Sequence, residues 1–149
     1  ARFTDEASIT AAGYTSIGDG LVSEFEHFVN YPMLVDGREL DPGAIESIVM
    51  RIAPDGTKRI ASAMYILESG STMSDVPDIA GELTTWHDHQ DLCWDPTGTK
   101  LLGVLVNGTC TPGGEFRATA PMLHVWLVEH PCGPFAGIDG HGECGSHDH

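Results

Sequence analysis

The sequence predicts an all-β fold, an antiparallel barrel or sandwich built as one domain over 1–149. Three observations carry that expectation. Five segments (47–53, 58–67, 83–90, 101–107 and 121–129) are rich in Val, Ile, Leu, Met and aromatic residues. Turn residues punctuate them, in Pro54-Asp55-Gly56-Thr57, Asp95-Pro96-Thr97-Gly98 and Thr111-Pro112-Gly113-Gly114. Apolar residues at helical spacing are scarce throughout.

Taken in order, residues 1–20 are small, polar and Gly-rich, and read as an irregular extended arm. The stretch 21–30 fits two periods. Phe25, His27 and Val29 alternate as in a strand, while Leu21, Phe25 and Phe28 fit a helical turn. Pro32, Asp36-Gly37 and Asp41-Pro42-Gly43 then break the chain. Segments 47–53 and 58–67 form a hairpin around the Asp55-Gly56 reversal. Residues 68–80 read as a polar loop. The strand 121–129 is apolar at both even and odd positions, the pattern of a strand covered on both faces. From Gly133 to His149 the chain is a Gly-rich tail.

Composition narrows the class. A chain of 149 residues with 41% apolar residues can bury a core of its own, and no apolar run approaches the ~20 residues of a membrane helix. The net charge of −15, from 22 acidic and 7 basic residues, repels nucleic acid and attracts cations, and plain solubility is the commoner reason for such a charge. The chain opens at Ala1, as mature secreted proteins do after cleavage, so a secreted or extracytoplasmic place at the cell surface or periplasm is expected. The four cysteines, Cys93, Cys110, Cys132 and Cys144, are widely spaced without a C-x-x-C pair. Two disulfides suit that spacing better than a zinc–thiolate cluster, and the sequence-local pairing is Cys93–Cys110 with Cys132–Cys144.

Chemistry concentrates in Trp86-His87-Asp88-His89 and Met122-Leu123-His124-Val125-Trp126. Residues two apart on a strand share a face, so His87 and His89 project together. His124 lies in an apolar run, where its ring nitrogens need partners. Three imidazoles so placed make a metal site. Glu24, Glu26 and Asp88 stand near these histidines in sequence as further ligands or as carboxylates that orient a ring, although a solvated surface is the plainer reading for Glu24 and Asp88. His141, His147 and His149 in the tail offer at most weak binding, because a flexible segment loses entropy for each ligand it orders. Asn107-Gly108-Thr109 matches a glycosylation acceptor. No G-x-S-x-G elbow, P-loop or dinucleotide fingerprint is present.

Gly81-Glu82-Leu83-Thr84-Thr85-Trp86-His87-Asp88-His89 resembles the first half of a cupin motif, Gly, five residues, then His-x-His. That resemblance implies a cupin-like architecture and a histidine-held metal. Where a cupin carries its glutamate ligand, this chain has Cys93 and Trp94. A broader likeness runs over residues ~24–138, as judged from motif content. Phe25-Glu26-His27-Phe28-Val29-Asn30, Asp36-Gly37, Leu40-Asp41-Pro42, Asp55-Gly56 and Leu123-His124-Val125-Trp126 resemble an uncharacterised group of bacterial, actinobacterial-type secreted proteins with His and Cys on a β-domain. In this chain Tyr31 separates the Asn from the Pro. The likeness implies that His27 belongs with His124.

Four imidazoles, or three with an open position, suit zinc or copper. The expected function is therefore an extracytoplasmic protein holding a transition metal through His87, His89, His124 and His27. The rivals are a small cupin-like metalloenzyme with an open coordination position and an extracellular structural or assembly protein without metal.

Overall fold

The computed structural model describes residues 3–137. Nine strands follow a short helix: α1 (Glu6–Ala11), β1 (Thr15–Ser16), β2 (Phe25–Val29), β3 (Ser47–Ile52), β4 (Lys58–Ile66), β5 (Trp86–His87), β6 (Leu92–Trp94), β7 (Leu101–Val104), β8 (Glu115–Phe116) and β9 (Met122–Trp126). They make two antiparallel sheets, one in the order β1-β2-β3-β4-β9-β5 and one in the order β7-β6-β8. The fold is mostly β, and neither sheet closes into a barrel. No helix among the described residues is long and apolar enough to cross a membrane.

The N-terminal stretch, expected as an extended arm, is folded. Asp5 caps α1, its carboxylate accepting from the Ser8 N–H while the Ser8 hydroxyl accepts from the Asp5 N–H. The fully buried Ile9 anchors this helix on Tyr14, Phe28, Ile48 and Met50. The hairpin stands where the turn residues put it, with Gly56 at φ +82°, a conformation that favours glycine. The ambiguous stretch 21–30 resolves as strand β2, paired with β3 from Phe25↔Arg51 to Val29↔Ser47.

The segment 83–90 departs most from expectation. Only Trp86 and His87 pair with β9, and Gly81–Leu83 is a 3-10 turn. β5 is thus a two-residue edge, and His89 lies beyond it in a loop. Its backbone is held there by Thr119, whose hydroxyl accepts from the His89 N–H at 2.9 Å and whose N–H donates to the His89 carbonyl at 3.0 Å.

Cross-strand partners share a face, so the registers sort the large sheet into two sides. One side carries Phe28, Ile48, Met50, Ala63, Leu123 and Trp86. The other carries Phe25, His27, Val49, Ser62, Met64, Met122, His124, Trp126 and His87. β2 and β9 are three strand spacings apart, or about 14 Å in a flat sheet. Yet the rings of Phe25 and Trp126 lie 5.5 Å apart, and those of His27 and His124 lie 5.8 Å apart. The sheet therefore curls around its histidine-bearing side. A bulge at Ala61, where the β3–β4 register shifts, contributes to the bend.

The chain after β9 folds back onto this concave side, where Ala136 packs in the cluster with Phe25, Met64, Met122 and Trp126. Trp126 donates its backbone N–H to the Pro134 carbonyl and its Nε1–H to the Ala136 carbonyl. Cys93 and Cys110 are bridged. Cys132 is also disulfide-bonded, while Cys144 lies outside the described residues, as do His141, His147 and His149. On the opposite side of the sheet from the histidines, Glu46 is 2% exposed just ahead of β3, taking the Ile66 N–H at 3.3 Å.

Candidate metal centre

All four histidines singled out in the sequence meet on the hollow side of the sheet. His124 from β9 is the centre, with 1% of its surface exposed. His87 from β5 stacks on it at 5.2 Å between ring centroids and 10° between planes. His27 from β2 stands edge-on to it at 5.8 Å, and His89 stands edge-on to His87 at 5.4 Å. His87 and His89 therefore meet, although through a strand end and a pinned loop rather than through alternation along one strand.

His27 has a specific orienting partner. Its Nδ1–H donates to the Asp19 carboxylate at 2.5 Å, and its backbone N–H donates to the other oxygen of that carboxylate at 3.0 Å. This double contact fixes the ring through Nδ1, the arrangement by which carboxylates orient metal-binding histidines. Two glycines place Asp19. Gly18 takes φ +86°, and a Cβ on Gly20 would sit 2.8 Å from Ile52 and 2.9 Å from Glu26, so only glycine lets this turn lie against β2.

His124 carries the strongest electrostatic signature. Burial pushes its imidazole well below the ordinary value, and the neighbouring His27, His87, His89 and His130 add to that push. The ring is therefore neutral at pH 7, the form that binds metal. Its buried Nδ1 makes no hydrogen bond, a situation that costs about 1–3 kcal/mol when nothing compensates.

The near-parallel stacking continues from His124 to Trp126 at 6.0 Å and from Trp126 to His130 at 4.5 Å. His130 accepts the Cys132 N–H at Nδ1. Asp19 and His130 are the two members of this neighbourhood that sequence reasoning missed. The Gly18-Asp19-Gly20 triplet was a signal for the first, and His130-Pro131-Cys132 directly after the histidine strand was one for the second.

The acids weighed as ligands lie elsewhere. Glu26 is on the other side of β2, held by Lys58 at 2.7 Å and by the Ser16 hydroxyl. Glu24 pairs with Arg51, and Asp88 accepts from Gln90. In its present rotamers the cluster is not a finished coordination sphere. Among the described residues no group of three or more His, Cys, Asp and Glu stands ready to hold an ion. In comparisons with known proteins, no protein-family model, no curated protein and no solved structure matches this chain.

Proposed function

We propose that this protein is an extracytoplasmic metal-binding protein that holds one zinc or copper ion through His27, His87, His89 and His124. The observation that carries the reading is the convergence of four imidazoles from three strands and a loop around the buried, neutral His124. At His124 a sheet that only needed a core would place an aliphatic side chain, which leaves no buried ring nitrogen unpaired. The Asp19–His27 contact and the unpartnered His124 Nδ1 both fit a bound cation. The acidic surface concentrates cations near the site, and the Cys93–Cys110 disulfide suits an oxidising compartment.

The test is a titration of the purified full chain with zinc and with copper against chromophoric chelators. One equivalent bound by the wild type is expected, with strong loss in His87→Ala, His89→Ala and His124→Ala and a smaller loss in His27→Ala. Undiminished binding in all four variants overturns the assignment.

A further inference from the structure

The side of the sheet that carries the histidines also carries two thioethers in register with them. Met64 on β4 is the direct partner of His124, and Met122 on β9 is the direct partner of His87. Directly opposed residues have Cβ atoms about 4.5–5.5 Å apart, close enough for their side chains to share a ligand. Both methionines are buried, at 4% and 5% exposure, in one cluster with Trp126.

We propose that the ion selected here is monovalent copper, with the sulfurs of Met64 and Met122 joining the imidazoles as ligands. This rests on reading the cluster as a metal site. Imidazole suits both zinc and copper, so it does not discriminate between them. Thioether sulfur does: it is a soft, neutral donor that favours Cu(I), whereas zinc sites are built from thiolate, imidazole and carboxylate. Charge points the same way. Asp19 is the carboxylate bound to this cluster, and it is engaged by His27, while Glu26 lies across the sheet. With one carboxylate at the cluster, a single positive charge is compensated more fully than two, because buried charge needs compensation.

The experiment uses the full chain without oxygen. Cu(I) and Zn(II) affinities are measured against chelators for the wild type, Met64→Leu and Met122→Leu, with circular dichroism confirming that the variants fold. Leucine keeps most of the volume and removes the sulfur. The expected result is a fall of roughly tenfold or more in Cu(I) affinity in each variant, with Zn(II) affinity changed less than about twofold, because only the soft donor is lost. Unchanged Cu(I) affinity in both variants, or a parallel fall for both metals, overturns the proposal. X-ray absorption of the Cu(I)-loaded wild type gives a readout that needs no variant. A sulfur shell absent from Met64→Leu/Met122→Leu supports the proposal, and a nitrogen-only shell in the wild type overturns it. A wild type that binds zinc and refuses Cu(I) ends this proposal while leaving the metal site standing. A wild type that binds neither ion ends both.

Discussion

Replacing Glu46 with glutamine should remove a pH-dependent penalty carried by the wild-type fold. The carboxyl is 2% exposed and is pushed from its ordinary value near 4.5 up to about 7. Burial is the main cause. The Glu46 and Ile66 N–H groups oppose the rise, and the Asp36 and Glu39 carboxylates add to it. Folding therefore favours the protonated acid, and stability is lost as pH rises from ~4.5 through ~7. A shift of that size is worth at most about 3.5 kcal/mol above pH 8, at ~1.4 kcal/mol per pKa unit, and under about 1 kcal/mol at pH 5. Glutamine keeps the shape and an acceptor for the Ile66 N–H, so Glu46→Gln retains the contact without the ionisation. Urea unfolding with disulfides intact, at pH 5, 6.5 and 8.5, should show the variant gaining on the wild type by about 2 kcal/mol across that range. A difference that stays constant with pH refutes the reasoning.

The remaining predictions concern the site and its supports. Asp19→Asn should weaken metal binding by about 10–100-fold, because the His27 ring loses the charge that orients it; equal affinity in a metal titration would separate Asp19 from the site. Metal affinity should fall as pH drops below ~6.5, since imidazole must shed its proton to bind, and an affinity unchanged at pH ~4.5 in the same titration would speak for carboxylate ligands. A chain ending at Gly140 should keep its ion by elemental analysis, and loss of the ion on removing His141, His147 and His149 would place the site in the tail. Reducing the Cys93–Cys110 bridge, 17 residues apart, should lower stability by roughly 3 kcal/mol in the chain-entropy view, and thiol titration of the native protein should find no free cysteine.

Much of the large sheet was legible because its signals are local. The Asp55-Gly56 turn specifies β3 and β4, and apolar residues on both faces of β9 announce a strand that is covered on both sides. The histidines were legible as residue types that an apolar strand tolerates poorly. What sequence alone hid was the bend. A period of two places His87 and His89 on one face, but β5 ends after His87 because the chain leaves to meet Thr119. Nothing local tells that β2 and β9, far apart in sequence, curl until His27 meets His124. α1 was missed because its cap is Asp5 with Ser8 rather than with a glutamate, and β6 and β8 because strands of two or three residues carry no period. Asp19 was missed because it lies eight residues from His27, on a turn whose course depends on two glycines.

Anomalous diffraction from crystals of the full chain, grown with zinc or copper and measured at each metal's edge, reads out whether the histidine cluster holds an ion. One strong peak is expected on the histidine-bearing side of the sheet, about 2.0–2.1 Å from the His124 imidazole nitrogen and from at least one further ring among His27, His87 and His89. No peak there with either metal, or a peak held only by residues outside this cluster, would contradict it.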